Sequence, residues 1–288
     1  PNKEWLQIKT IEMHTGGEPL RVIIDGFPEL KDKNIGVIVN HTSVNSEGDH
    51  LIELFHLAEL NIGAIFAPEH GFKGIYEAGQ ELTDGIEPMS GAPIYSLYGK
   101  TKKPSHNMLN SLDVVIVDLQ DIGIRYYTYI STLTLVMESA AQNGIPIWIL
   151  DRLNPMARDI NGPVLDPNFS SFVGMHPIPV QHGMTIGELA VMINEEGWLS
   201  NGLKSNLKII HYKGKPNVDD RREAFNPPPS PNMPDLTTAW LYQGLCLIEG
   251  TNLSEGRGTD IPFKVIGAPW LDSEGLFEQL KEITSLRY

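Results

Sequence analysis

A series of short, almost purely apolar segments, spaced by stretches with helical periodicity, constrains the fold of this chain most. Residues 34–40, 62–67, 112–118 and 146–150 are apolar nearly end to end, and 93–97 is a weaker version of the same thing. A strand wet on one side alternates polar and apolar residues. A continuous apolar run of strand length needs cover on both faces. Between the first two runs, the segment 46–60 puts Leu51, Leu54, Phe55 and Ala58 on one helical face. The segment 126–143 does the same with Leu133, Val136, Met137, Ala140 and Ala141, and Gly144 is placed to stop it. The pattern predicts an α/β fold: a Rossmann-like, mostly parallel sheet with helices on both faces.

Such a sheet binds its ligand beyond the carboxyl ends of the strands. Those ends read Asn40, then Glu69 and His70, then Asp118, then Asp151 and Arg152. Ionisable residues recur there, while the strand interiors hold almost none.

Past Asp151 the texture changes. Residues 152–182 are rich in Pro and Gly and read as a crossover. Thr185 and Glu188 form a capping box for a helix that carries Ile186, Leu189, Ala190 and Ile193 on one side. Residues 226–234 hold too many prolines for helix or central strand and predict an extended wall. The expected organisation is an atypical N-terminal hairpin segment over 1–30, a Rossmann-like subdomain over 31–154, and a second α/β subdomain over 155–288.

Three stretches carry candidate chemistry. Glu69-His70-Gly71 follows a buried strand, and a carboxyl sheltered from water at such a place is suited to general acid catalysis. The plainer reading has Glu69 capping a turn or pairing with Lys73. Asp118 and Asp121, ahead of Arg125, offer a second carboxylate; Asp121 equally suits a helix cap or a partner for Arg125. The glycine-rich loop 250–260 gathers Asn252, Glu255 and Arg257 within a few residues. Glycines let the backbone approach a ligand, and a guanidinium fork suits a carboxylate or phosphate. The loop reads as a binding surface for a small polar, anionic molecule, or more plainly as a solvated loop held by Asn and Ser turns.

Composition excludes several classes. A formal net charge of −14 disfavours nucleic acid and anionic membranes. The single cysteine, Cys246, allows no intrachain disulfide and lies in an apolar run that suits packing. His70, His176 and His182 lack the spacing of a metal site, and none is expected. No stretch approaches transmembrane length, and the first residues have no signal-peptide pattern. The first long strand runs into His41-Thr42-Ser43, not into a Gly-x-Gly-x-x-Gly turn, so nothing points to a nucleotide.

Several stretches, taken in order, resemble one family. They are Ala67-Pro68-Glu69-His70-Gly71, Asp118 through Gly123 with Arg125 through Tyr129, Leu150 through Pro155, Pro179-Val180 with His182 through Thr185, Pro229 through Pro234, and Glu249 through Asp260. The resemblance is to the NamZ-type exo-β-N-acetylmuramidases and runs from about residue 31 to about 272. It implies an exo-acting glycoside hydrolase releasing N-acetylmuramic acid from the non-reducing ends of peptidoglycan fragments. It implies an active site in a cleft between two subdomains, no metal or organic cofactor, and action outside the cytoplasm by a mature chain lacking its signal. By position in the Pro-Glu-His-Gly pattern, Glu69 takes the role of catalytic acid/base. The second group is Asp118, Asp121, Glu255 or the acetamido group of the substrate. The expected substrate-binding set is His70, Arg125, Asn232, Asn252, Glu255 and Arg257, with Arg257 or Arg125 meeting the lactyl carboxylate.

Two departures stand beside this. Residues 8–30 resemble instead the first hairpin of the proline racemase and 3-hydroxyproline dehydratase family, whose cysteine-bearing patterns are absent later in the chain; no racemase function is carried over. The chain also ends near Tyr288, short of the stretch family members usually carry, so the second subdomain is expected to be truncated. A catalytically silent amino-sugar-binding protein of the same fold is the alternative.

Overall fold

The computed structural model describes residues 9–11, 22–25, 30–74, 85–156, 159–211 and 224–283. Of the hairpin expected near the start, β1 (Lys9–Ile11) pairs antiparallel with β2 (Val22–Asp25). The rest of 1–29 lies outside the described residues.

The apolar runs fold as predicted. They become β3 (Asn34–Val39), β4 (Asn61–Ala67), β6 (Pro93–Ser96), β7 (Val114–Asp118) and β8 (Ile147–Leu150). A short β5 (Gly85–Ile86) and a β9 (Leu207–Ile210) complete a seven-stranded sheet in the order β5-β6-β4-β3-β7-β8-β9. Every pairing is parallel except β5 with β6. Numbered along the chain, the six parallel strands stand 3-2-1-4-5-6, which places the topological switch between β3 and β7.

All of β7 is buried, and so are the last five residues of β3. Side chains alternate between faces along a strand, so both faces of the sheet are covered. One face packs Val37, Val39, Ile65, Ile116 and Trp148 against Leu51, Ile52 and Phe55 of α1 (Leu51–Leu57). Burying each such side chain is worth about 1.5–3 kcal/mol, which holds the strand ends in register.

Helix α1 is shorter than the predicted 46–60. Its start is fixed by His50, which caps the helix through the Ile52 N–H. The preceding residues are turned away by Asn45, whose side-chain oxygen accepts from the amides of Glu47 at 2.9 Å and Asp49 at 2.8 Å. A short α2 (His106–Leu109) precedes β7, and α3 (Tyr129–Gln142) follows it. Helix α4 (Ile186–Glu195) opens on the predicted capping box of Thr185 and Glu188. Asp151 joins that cap, accepting from Thr185 Oγ1 and from the Gly187 amide.

The chain divides into two compact units, residues 1–236 and 237–288, and not near residue 154. The physical reason is β9, which pairs with β8 and carries the same sheet past the crossover. The second unit holds most of α5 (Leu236–Leu245), a 3-10 turn (Cys246–Gly250) and α6 (Ser273–Ile283). Among its described residues the strand-like pairing is an isolated bridge between Ser254 and Gly267. Among the described residues no helix is long and apolar enough to cross a membrane.

Candidate active site

The loops at the carboxyl edge are stitched together across the switch point. Asn40, the residue after β3, is fully buried. Its Oδ1 accepts from the Thr42 amide at 2.9 Å and hydroxyl at 2.6 Å, and its Nδ2 donates to the Tyr129 hydroxyl at 2.6 Å. Ser43 Oγ donates to the Asp118 carbonyl at 2.6 Å. These bonds bind the β3 loop to the β7 loop and to the start of α3.

Glu69 leaves β4 at the head of a tight turn, with Gly71 N bonded to Pro68 O and Gly74 N to Gly71 O. His70 is buried and sits at φ 72°, a left-handed conformation unusual for a side-chain-bearing residue. Gly74, at φ 65°, has no room for a Cβ because the His41 ring occupies that space. The Glu69 side chain is 8% exposed, and Thr128 Oγ1 donates to its Oε2 at 2.6 Å. Thr128 is the N-cap of α3 but makes no side-chain cap bond. Its hydroxyl serves Glu69 instead, beside a helix end that favours negative charge.

The proline-rich segment supplies acceptors. Proline has no N–H, so its carbonyls need donors from elsewhere. Tyr127 and Tyr129 hydroxyls donate to Pro229 O at 2.9 and 3.3 Å, their rings edge-on with centroids 4.6 Å apart. Burial pushes both phenols well above their ordinary range. The neighbouring Tyr129 and Asp121 add to this for Tyr127, and Glu69 and Asp121 add to it for Tyr129. Both therefore stay donors. His41 Nε2 donates to Pro228 O at 2.7 Å, and burial holds this ring below the usual histidine range. Asn232, 9% exposed, lies in the turn closed by Met233 N and Ser230 O.

The two aspartates of the β7 loop have different surroundings. Asp118 has no exposure, and Arg152 grips it with two bonds, Nε to Oδ1 at 2.5 Å and Nη2 to Oδ2 at 3.0 Å. Asp121 is neither a helix cap nor the partner of Arg125. Helix α3 begins at Tyr129, and Asp121 Oδ2 accepts from the Gly123 amide at 2.7 Å. Arg125 is buried with Nη1 bonded to the carbonyls of Pro163 at 2.8 Å and Ile178 at 2.6 Å. Its guanidinium anchors the crossover segment to the sheet edge.

Among the predicted residues of the first unit, Glu69, His70, Asp118 and Asp121 thus share the carboxyl edge. Sequence reasoning passed over Asn40, Thr128, Tyr127 and Tyr129 as site residues. Asn40 showed itself only as an amide next to a strand end, and Tyr127, Thr128 and Tyr129 only as part of a family-like stretch ahead of a helix. His182, which the sequence offers as a candidate metal ligand and within a family-like stretch, has its Nε2 3.7 Å from Asp121 Oδ2. Among the described residues no group of three or more His, Cys, Asp or Glu side chains converges to hold a metal ion.

In the second unit the polar loop is internally neutralised. Arg257 Nε donates to Glu255 Oε1 at 3.0 Å and Nη2 to Glu249 Oε2 at 2.9 Å. Glu255 is buried and Asn252 is exposed. Gly256, at φ 85°, packs where a Cβ would meet the Val265 side chain and the Ile261 carbonyl. Two edges of the fork expected to meet an anionic ligand are taken by the loop's own carboxylates.

A mostly parallel sheet of this strand order, with carboxylates and no dinucleotide turn at the switch point, defines a Rossmann-like α/β protein. The family follows from comparison. The N-terminal model of the exo-β-N-acetylmuramidase NamZ matches residues 35–237 and its C-terminal model matches 240–287, beyond the predicted limit near 272. The chain belongs to the NamZ family. It is 44% identical over 285 residues to the peptidoglycan β-N-acetylmuramidase NamZ of Bacillus subtilis (strain 168), covering 98% of this chain and 68% of that one. Two solved DUF1343 family proteins from Bacteroides fragilis NCTC 9343 share the fold. One has a TM-score of 0.73 at 40% identity and covers 84% of this chain. The other has a TM-score of 0.80 at 37% identity and covers 89%. The chain spans 64% and 66% of their lengths. A 43-residue stretch is 46% identical to a trans-3-hydroxy-L-proline dehydratase of Colwellia psychrerythraea (strain 34H), covering 15% of this chain and 12% of that protein.

Proposed function

We propose that this protein is an exo-acting glycoside hydrolase that removes N-acetylmuramic acid from the non-reducing end of peptidoglycan fragments, with Glu69 as general acid/base. The observation that carries the reading is the setting of Glu69: a carboxyl 8% exposed, at the carboxyl end of β4, inside the region matched by the NamZ N-terminal model. Cleavage of a glycosidic bond needs a proton for the leaving oxygen and a second group on the other side of the anomeric carbon. Asp118 is neutralised by Arg152, and Glu255 by Arg257. Asp121 keeps a carboxylate oxygen without a partner among the described residues, and we assign it the second role. The substrate derives from the cell wall, and we therefore propose that the reaction runs outside the cytoplasm, in the periplasm, at the surface or in the medium; fractionation of the producing cells tests that proposal.

The decisive assay follows release of N-acetylmuramic acid from a chromogenic β-muramide. Glu69→Gln keeps the shape of the side chain and removes the acid, and a fall of about 100-fold or more in kcat is expected. An undiminished rate in Glu69→Gln removes Glu69 from the chemistry.

A further inference from the structure

We propose that His182 is a positioning residue: its ring holds the Asp121 carboxylate so that Oδ1 stays available as the acceptor for the reacting group. The inference rests on the muramidase reading above and adds to it a residue outside the predicted site.

Backbone pairing delivers His182 to Asp121. Arg125 N bonds to Val180 O at 2.8 Å, His182 N to Gly123 O at 3.4 Å, and Ile124 bridges Gln181. The loop after β8 locks both sides: Gln120 Nε2 donates to Leu153 O at 2.9 Å, and Asn154 Nδ2 donates to Met184 O at 2.9 Å. Gly123, at φ 79°, leaves the space that the Asn154 amide fills.

Within this frame the ring has one orientation and one tautomer. Nδ1 accepts from the Met184 amide at 3.3 Å, so in the neutral ring the proton resides on Nε2. That N–H faces Asp121 Oδ2 at 3.7 Å, beyond hydrogen-bond length, and has no other partner among the described residues. Asp121 Oδ1 likewise has none. The two residues are 2% and 4% exposed.

A buried polar atom left unmade costs about 1–3 kcal/mol, and native chains keep few of them. Here the unpartnered donor stands 3.7 Å from Oδ2, within about an ångström of hydrogen-bond contact, as catalytic hydrogen bonds often do before substrate arrives. The contrast with Asp118 is the strongest argument. Three residues away, at the end of β7, a carboxylate whose work is structural has both oxygens bonded to Arg152. Asp121 has one oxygen bonded to the Gly123 amide with the His182 ring 3.7 Å away, and the other buried without a partner among the described residues.

The test is a double-mutant cycle on the muramide assay with Asp121→Asn, His182→Leu and both together. His182→Leu is expected to lower kcat by about tenfold to 100-fold, the usual cost of a catalytic group displaced by an ångström, with KM within about twofold. In the Asp121→Asn background the same change is expected to add nothing, because His182 acts through Asp121. His182→Gln sets an amide N–H near the place of Nε2–H and is expected to recover most of the rate. It also stands in if the leucine variant does not fold. Losses that add in full, an unaltered kcat in His182→Leu, or a glutamine variant no better than leucine overturns the proposal. A wild-type chain that turns over no muramide sinks the muramidase reading instead. The contact is then decided by 15N NMR of the His182 ring. The Nε2 resonance is expected to move in Asp121→Asn, and an unmoved resonance overturns it.

Discussion

Arg152 and Asp118 form a two-pronged ion pair at the carboxyl edge of the sheet, Nε to Oδ1 at 2.5 Å and Nη2 to Oδ2 at 3.0 Å, with the Asp118 side chain wholly out of water. The pair ties the end of β7 to the loop after β8. Arg152 also reaches the Val44 carbonyl in the β3 loop. Removing the cation strands a carboxylate where neither water nor another donor replaces it. Arg152→Met is therefore expected to lower stability by about 3–5 kcal/mol. Pairing it with Asp118→Asn, which removes the charge, is expected to recover a large part of that. Denaturant midpoints of the two variants and the wild type check this; equal losses in single and double variants contradict the structural role given to Asp118.

The sheet was legible in the sequence because buried parallel strands write themselves as continuous apolar runs, and β3, β4, β7 and β8 hold no polar residue except at an end. Of the two strands the pattern does not show, β5 has only two residues, and β9 is half-buried along its length and carries Lys208 in a run of only four. An edge strand has one neighbour and a less apolar pattern, so it left little trace. The capping box of α4 was legible because its signal lies within four residues. Positions of charges along the strand ends were legible too. Their partners were not: Asp118 and Arg152 are 34 residues apart, and Thr128 lies 59 from Glu69. Which carboxylate is structural and which is left open depends on such long-range partners, and no local pattern records them.

Gly123 is expected to resist substitution. Its φ of 79° is disfavoured for any side chain, and a Cβ there meets the Asn154 amide that reaches back to Met184. Gly123→Ala should cost about 1–3 kcal/mol through backbone strain alone. Because the Gly123 amide also holds Asp121 Oδ2, muramide turnover should fall by more than stability predicts. Thermal melts and steady-state rates measured on one preparation separate the two; a variant with full stability and full rate refutes the close packing at this turn.

Cys246 is expected to be unreactive. Burial pushes its thiol up to about 11 from an ordinary value of 9.0; the hydrogen bond with Tyr242 and the Arg257 charge oppose this, and Glu249 adds to it. The thiolate is the species that attacks, so at pH 8 reaction with an aromatic disulfide reagent should run about 100-fold slower than with an unhindered thiol. Unfolding the chain in denaturant should restore the ordinary rate. Fast, stoichiometric labelling of the folded protein would place the sulfur in water.

His176 makes acid a threat to this fold from an unusually high pH. The ring is 3% exposed, stacks on Trp198 at 5.1 Å, and bonds through Nε2 to the Thr134 hydroxyl at 2.8 Å. That hydroxyl donates to the Ile130 carbonyl, so it accepts from a neutral His176. Burial lowers the ring's pKa from 6.5 to about 4, and the negative charge of Glu138 offsets only part of this. Above pH 6.5 the ring is neutral folded and unfolded, and its neutrality costs nothing. As pH falls from 6.5 towards 4, the unfolded chain takes up a proton the folded chain refuses. Stability then drops by up to about 1.4 kcal/mol per pH unit, roughly 3 kcal/mol over the window, and this contribution levels off below it. Glu138 acts lower. Burial would raise its carboxyl, but bonds from Ser200 and Lys103 hold it below 4.5, so its share of stability is lost only as pH falls beneath that value. The fall in stability between 6.5 and 4.5 is therefore driven by histidine, while Asp151, whose carboxyl burial raises above its ordinary 3.8, acts in the opposite direction as pH falls. His41, also lowered by burial, contributes there in the same direction as His176, so the variant and not the raw slope carries the assignment. His176→Gln keeps a donor for Thr134 without a titrating ring. Its unfolding free energy, followed by denaturant from pH 7 to 4.5, should fall less steeply than the wild type's, by close to one proton's worth near pH 5. Parallel curves for the two proteins would mean that His176 takes up its proton in the folded state as readily as in water.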